Sequence, residues 1–187
     1  MSTGGKPALL FLSPIMPDVS GNGLAMRAGA TLEALAADYA VHLLVIPVAG
    51  AQPGSAGEPG SAGEPGEAVR RWCERIAVHQ IERHVDPHFS LIAGVRDPRE
   101  QLSALLAYPR PSLGRFATSA SVREAAELVA GPDYQAVHVL RLYLAPFAEP
   151  YLAARGPSAG VAWLGTGATG LGAGAAGRPV CRLIWAP

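Results

Sequence analysis

The stretch 8-ALLFLSPIMPDVSGNGLAMRAGATLEALAADYAVHLLVIPV-48 decides the fold. It begins and ends with short, continuous apolar runs, at residues 8–12 and 41–48, which are typical of strands buried on both faces of a parallel sheet. Residues between them are apolar at helical spacing, and Asn22 stands where its side-chain oxygen can cap the first turn. The spaced apolar residues are Leu24, Ala28, Leu32, Leu35 and Tyr39. The stretch therefore predicts a βαβ unit, whose crossover is almost always right-handed.

The chain continues this alternation as far as residue 155. Further apolar runs predict strands at 75–81 and 136–140. The predicted helices cover residues 98–108, 119–131 and 145–155. Pro98 starts the first of these helices, and Pro150 interrupts the last. Alternating strands and helices predict an α/β fold, a Rossmann-like parallel sheet with helices on both faces.

A repeated hexapeptide interrupts this pattern. Residues 54–65 are the sequence GSAGEP written twice. Such Gly/Ser/Pro-rich sequence cannot bury enough apolar surface to offset its ordering entropy. We therefore expect a flexible insertion at 49–66, inside a single domain that covers residues 1–155.

The tail, residues 156–187, differs from the rest of the chain in composition. All fifteen acidic residues lie at or before Glu149, and the charged side chains of the tail are Arg178 and Arg182. Its uncharged run is rich in Gly and Ala rather than Leu, Ile and Val, which argues against a membrane span. Arginine outnumbers lysine fourteen to one, which is typical of a GC-rich gene read in or out of frame. We expect an irregular tail that is disordered, frameshifted or prematurely ended.

Composition excludes several classes of protein. The 187 residues are 49% hydrophobic, which suits one domain with decorations. The formal net charge is zero, so nucleic acid is not an expected partner. Cys73 and Cys181 form no CxxC pair, which predicts a reducing, cytoplasmic location and no disulfide framework. The first apolar run is broken by Pro14 and Pro17, so we expect no secretory signal.

The candidate ligand site is the turn after the first strand that contains Gly21 and Gly23, which we call the glycine loop. Gly21 and Gly23 let an anionic group approach the backbone N–H groups at the positive end of the helix dipole. A nicotinamide fingerprint would need glycine in place of Met26 and an acidic residue after the second strand, where the sequence is 46-IPVAG-50. Because both are absent, a dehydrogenase is disfavoured, and no GK[ST] sequence completes a P-loop. The alternative is that the glycines only permit the turn.

Three segments together resemble a known family. They are 13-SPIMPDVSGNGLAMRAGATLEALA-36, 41-VHLLVIPV-48 and 137-VHVLRLYLAPFAEPYL-152. Over residues 8–155 the chain resembles the N-terminal domain of bacterial glycosyltransferases of the two-domain GT-B type, close to the family-4 group. The P-x(6)-GNG-x(3)-R loop and the RLYLAPFA segment carry most of the likeness.

The resemblance implies a site and a missing part. In that family the N-terminal domain mainly holds the acceptor, and the glycine loop lies close to the diphosphate and sugar of the donor. By likeness, Gly21, Asn22 and Gly23 face the cleft, and Arg27 and Arg141 lie near it. Most contacts to the nucleotide sugar, which is a substrate and not a cofactor, come from a second Rossmann-like domain that would follow residue 155. No metal is implied, and the catalytic residues are unknown.

Some single residues have two interpretations. Arg141 follows a predicted strand and could bind phosphate or acceptor, or could be a solvated arginine. His42 and His138 lie within predicted strands, where a packed or hydrogen-bonded role is favoured over that of a catalytic base. His84 and His88 have metal-ligand spacing only on a helix, and the proline between them argues against one.

The sequence thus supports one main hypothesis and two alternatives. The main hypothesis is the acceptor-side half of an enzyme that transfers a sugar from a nucleotide-sugar donor to an unknown acceptor, inactive alone. The second is a non-catalytic module that binds a small ligand through the glycine loop. The third is a gene product without function.

Overall fold

The computed structural model describes residues 5–48, 63–153 and 182–185. Strands β1 to β5 are Ala8–Ser13, Ala40–Val45, Cys73–Val78, Ala136–Val139 and Arg182–Trp185. Helices α1 to α6 are Gly23–Asp38, Glu67–Trp72, Pro87–Ala93, Pro98–Ala107, Ser119–Leu128 and Glu149–Ala153. Short 3₁₀ segments lie at Glu82–His84, Ser112–Gly114 and Leu142–Ala148. Helices therefore alternate with strands along most of the described chain.

All strand pairs in the sheet are parallel, and their order is β3-β2-β1-β4-β5. Strand β1 is central, with Leu12 opposite Leu44 of β2 on one side and Val139 of β4 on the other. The chain builds outward from β1 in one direction and then in the other, which is the Rossmann order. The predicted α/β class with a Rossmann-like parallel sheet is confirmed.

Two apolar layers pack on opposite faces of this sheet. On one face, Leu32 of α1 and Val69 of α2 pack with strand residues such as Phe11. On the other face, Ala125 of α5 and Phe147 of the third 3₁₀ segment pack over the strands. The side chains of β1, β2 and β4 between these layers are almost completely buried, whereas those of β3 are half-buried or exposed. Burial on both faces explains why the sequences of β1, β2 and β4 are continuous apolar runs.

Two predicted strand and helix boundaries need correction. The third strand was expected at 75–81 but forms at Cys73–Val78, after helix α2. The helix expected at 119–131 ends at Leu128, because Val129 leaves the helical conformation, and Gly131 has a φ of +131°. The helix expected at 98–108 is confirmed as α4, one residue shorter.

The segment after β4 also differs from the prediction. A helix was expected at 145–155, interrupted by Pro150, but the chain forms the 3₁₀ segment Leu142–Ala148 followed by α6. Pro150 is the second residue of α6, where no intrahelical partner is needed for its missing N–H. Proline therefore belongs to the start of this helix and does not break it.

Helix α3 is absent from the sequence prediction. It begins at Pro87, with Asp86 accepting a hydrogen bond from the His88 N–H at 2.9 Å. Helix α4 begins in the same way, with Asp97 before Pro98. An aspartate followed by proline is a known start signal for a helix, and it was available at both places in the sequence.

The tail contains one element that the prediction missed. Residues Arg182–Trp185 form β5, which lies parallel to β4 with Leu183 opposite Val137. The expectation of an irregular tail is therefore wrong for these residues. The rest of the tail, 156–181 and 186–187, lies outside the described residues, as does 49–62 of the expected flexible insertion.

Candidate functional site

The strand order reverses between β1 and β4, and the chain leaves both strands at their carboxyl ends. The Leu140 N–H donates to the Leu12 carbonyl at 3.0 Å, so the two strand ends are direct neighbours. From β1 the chain enters the glycine loop and α1, and from β4 it enters the 3₁₀ segment through Arg141. Open parallel sheets bind ligands in the crevice at such a reversal. The glycine loop and Arg141 thus lie at this edge of the sheet.

The glycine loop is held in shape by its own side chains. Gly21 has a φ of +98°, which favours glycine. The Asp18 carboxylate accepts hydrogen bonds from the Val19 and Ser20 N–H groups, at 2.7 and 3.2 Å. The Asn22 side chain, as predicted, caps α1 by accepting from the N–H groups of the second and third helical residues, at 3.0 and 2.9 Å. The loop is therefore ordered before any ligand arrives.

These hydrogen bonds determine which N–H groups remain for an anion. The amide oxygen of Asn22 already occupies the helix N-terminus, and the Asp18 carboxylate adds negative charge beside it. In the described part of the chain, the N–H groups of Gly21, Asn22 and Gly23 have no hydrogen-bond partner. An anion would bind these three groups or would displace the Asn22 side chain.

Gly29 contributes to the loop, although sequence reasoning did not select it. A Cβ atom on Gly29 would lie 2.9 Å from the Asp18 carbonyl carbon and even closer to the Asp18 carbonyl oxygen. The Asp18 N–H also donates to the Ala25 carbonyl at 3.1 Å. Glycine at this position therefore lets the loop lie directly on α1. A glycine on the buried side of a predicted helix was the available signal.

The two arginines of the expected site occupy different positions. Arg27 is exposed on the second turn of α1. Arg141 precedes the 3₁₀ segment and is partly exposed beside Tyr143. Burial raises the pKa of Tyr143, and the charge of Arg141 partly offsets this effect. Arg141 therefore places a positive charge at the reversal point, next to a protonated phenol.

His42 is packed away from this edge. It lies near the amino end of β2, and its Nδ1 is 3.1 Å from the Tyr134 hydroxyl. Because that hydroxyl donates to the Val129 carbonyl at 2.6 Å, Nδ1 must be the donor of the bond between His42 and Tyr134. Burial lowers the pKa of His42, while Glu74 opposes this effect. The hydrogen-bonded role predicted for His42 is confirmed.

His138 is buried in β4 and lies edge-on to Phe11, with ring centroids 5.1 Å apart. Neither ring nitrogen has a hydrogen-bond partner in the described residues. Desolvation lowers the pKa of His138 to about 4. The packed role predicted from the sequence is confirmed, but this histidine lacks the hydrogen bond that a buried imidazole usually makes.

A further polar cluster follows β3, and it was not selected from the sequence. The His79 Nε2 lies 2.7 Å from the buried Ser121 hydroxyl. His84 stacks on His79, with centroids 5.4 Å apart, and its Nε2 lies 2.7 Å from the Glu124 carboxylate. These contacts fasten the chain after β3 to α5. His88 lies on α3, so the pair spaced four apart does not share a helix.

The remaining expectations concern thiols, metals and membranes. Burial raises the pKa of Cys73 to about 12, so this thiol stays protonated and unreactive. Within residues 5–48, 63–153 and 182–185, no group of three or more His, Cys, Asp and Glu side chains could hold a metal. Over the same ranges, no helix has both the length and the apolar character needed to cross a membrane.

Replacing Asn22 tests the cap at this site. Asn22→Ala should lower the free energy of unfolding by about 1 kcal/mol, because two N–H groups of the first turn lose their acceptor. Asn22→Ser is the matched control, since serine also caps helices, and should retain most of the stability. Urea denaturation of the three proteins measures the difference. Equal stability of the alanine and wild-type proteins would show that the cap contributes nothing.

Comparisons with protein-family models, curated proteins and solved structures find no match to this chain.

Proposed function

We propose that the chain is the acceptor-side half of a GT-B type glycosyltransferase, which moves a sugar from a nucleotide-sugar donor to an acceptor. One observation carries the proposal. The glycine loop and Arg141 leave the carboxyl ends of neighbouring strands at the point where the strand order reverses. Ligands of open parallel sheets bind at this position. The resemblance of the loop and of the RLYLAPFA segment to the family-4 group supports sugar transfer as the chemistry.

In this proposal the chain forms one wall of a cleft. The free N–H groups of Gly21, Asn22 and Gly23 donate to the diphosphate or sugar of the donor. The positively charged Arg141 side chain binds a phosphate or the acceptor. Arg27 lies near the cleft. A second Rossmann-like domain would supply the main contacts to the nucleotide. Holding donor and acceptor together contributes about 7–11 kcal/mol to such reactions, and one wall cannot supply it.

A non-catalytic binding module is the second candidate. The observation in its favour is that Asn22 and Asp18 already satisfy most N–H groups of the loop. Three remaining N–H groups suit a small anion better than a whole diphosphate. In this alternative the loop binds the anion without any transfer reaction.

Calorimetric titration with UDP- and GDP-sugars tests the main proposal. We expect weak binding, with a Kd on the order of 1 mM, and no sugar transfer by the chain alone. Gly23→Val should abolish binding, because the added side chain covers the free N–H groups. The same change at Gly5, which also has open space for a Cβ, is the control.

Two results would decide against the half-enzyme. Micromolar binding together with turnover by this chain alone would show a complete site. Binding that is equal in wild type and Gly23→Val, with both proteins folded by circular dichroism, would remove the loop from the site.

A further inference from the structure

A groove of about 760 Å³ lies beside the reversal point, between α5 and the 3₁₀ segment Leu142–Ala148. Its apolar lining includes Ala117, Val122, Ala126 and Pro146. Small side chains on both sides leave the space open, and Leu142 at the groove is 58% exposed. The volume falls in the range of pockets that bury a small organic molecule.

Three hydrogen-bond donors lie among these apolar residues. They belong to the side chains of Ser119, Arg123 and Tyr143, and all three residues line the groove. Among the described residues, none of the three has a hydrogen-bond or ion-pair partner through its side chain. A few polar groups on an apolar surface are typical of sites that orient one ligand.

The charges of the groove favour an anion. Arg110 is already engaged, since it donates to the Ala117 carbonyl at 3.2 Å and lies 3.7 Å from the Asp86 carboxylate. Arg123 is left to attract a ligand, and Arg141 adds positive charge next to Tyr143. Glu149 is the carboxylate among the lining residues. With the charge of Arg110 offset by Asp86, Arg123 and Arg141 outweigh the single carboxylate of Glu149, so the groove favours a ligand with a negatively charged end.

The apolar lining restricts the ligand further. A free sugar exposes hydroxyls around its whole ring and needs donors and acceptors on several sides, which small apolar side chains cannot provide. An inorganic anion would leave most of the groove unfilled. An apolar body with one charged end satisfies both the lining and the donors.

We propose that this groove binds an amphipathic organic anion, with its aromatic or aliphatic body against Ala117, Val122 and Ala126 and its charged end at Arg123. The Tyr143 and Ser119 hydroxyls donate to the same end. This site is separate from the free N–H groups of the glycine loop, and the proposal does not depend on sugar transfer.

Two fluorescent probes with the same skeleton test it. 8-Anilinonaphthalene-1-sulfonate carries the charge, and N-phenyl-1-naphthylamine lacks it. We expect saturable binding of the sulfonate with one site per chain, and binding of the neutral probe about tenfold weaker. Arg123→Gln should weaken the sulfonate about tenfold and leave the neutral probe unchanged. Arg99→Gln, an equal change of charge on exposed α4, should leave both probes unchanged.

A groove-filling variant tests the place of binding. Ala126→Phe should weaken both probes more than about tenfold, because the ring occupies the volume of the ligand. Near-UV circular dichroism establishes that each variant is folded, since partly folded chains also bind the sulfonate. If Ala126→Phe is not folded, Arg123→Gln alone tests the proposal, because the Arg123 side chain is exposed and its replacement should not affect folding.

Other outcomes overturn the proposal. Equal affinity for the two probes would show an apolar surface without anion selectivity. An equal loss of affinity for the sulfonate in Arg99→Gln and Arg123→Gln would show that the probe is attracted only by the net charge of the protein. Binding unaffected by folded Ala126→Phe would place the ligand elsewhere, and no saturable binding would leave the groove without this ligand.

Discussion

Gly29→Ala should lower the free energy of unfolding by about 3 kcal/mol, although alanine is the better helix former. The new Cβ would meet the Asp18 carbonyl group, with the carbonyl carbon only 2.9 Å away. This neighbour is backbone, so it cannot rotate away as a flexible side chain would. Either α1 or the glycine loop must shift, and the hydrogen bond from the Asp18 N–H to the Ala25 carbonyl is strained or lost.

Urea denaturation measures this effect, and Gly23→Ala provides the control. A Cβ on Gly23 would meet nothing within 4 Å, so this variant should have a stability within about 0.5 kcal/mol of wild type. A shift in the midpoint at constant slope would locate the effect in the folded protein. Equal stability of the two variants would mean that the loop does not rest on Gly29.

His138→Leu should make the protein more stable and less sensitive to acid. At pH 7 the buried imidazole has no hydrogen-bond partner in the described residues, so leucine should add about 1 kcal/mol. Below about pH 6.5 the unfolded chain binds a proton at this histidine, whereas folded His138 does so only near its lowered pKa of about 4. Stability therefore falls as pH decreases through this window, by about 3 kcal/mol from this group.

Denaturation curves between pH 7 and 4 measure the contribution as the difference between wild type and His138→Leu. Burial also lowers the pKa values of His42 and His79, so the variant should keep a smaller loss of the same sign. If wild type and His138→Leu lose stability in parallel, His138 is protonated without penalty in the folded protein.

The sequence was sufficient for the centre of the fold. The strands β1, β2 and β4 were predicted because burial on both faces requires continuous apolar runs. The Asn22 cap was predicted because the side chain and its target N–H groups are close in sequence. Such features depend on residues close together in sequence, so a local sequence pattern is enough to predict them.

The features that were missed depend on residues far apart in sequence. Strand β5 is short, and its parallel pairing with β4 involves residues more than forty positions away. The contact between His79 and Ser121 spans 42 positions and exists only because α5 packs over the end of β3. Gly29 could be recognised as a glycine in a helix, but its contact with Asp18 needed the path of the loop.

The candidate site was predictable in position but not in detail. A turn after the first strand and an arginine after the fourth predict the ligand edge of a parallel sheet. The hydrogen bonds that the Asp18 and Asn22 side chains accept determine which N–H groups remain free, and these bonds follow from the loop conformation. The groove lies between α5 and the 3₁₀ segment Leu142–Ala148, and no local sequence pattern predicts that these two segments pack side by side.

Chemical-shift mapping tests the central proposal most directly. Uniformly ¹⁵N-labelled protein is titrated with UDP-glucose and GDP-mannose, and sodium sulfate serves as the control for simple anion binding. We expect the nucleotide sugars to shift the amide signals of Gly21, Asn22 and Gly23 and the side-chain signal of Arg141, whereas sulfate causes smaller changes. Signals that do not move with either nucleotide sugar, or that move equally with sulfate, would contradict a nucleotide-sugar site at this edge.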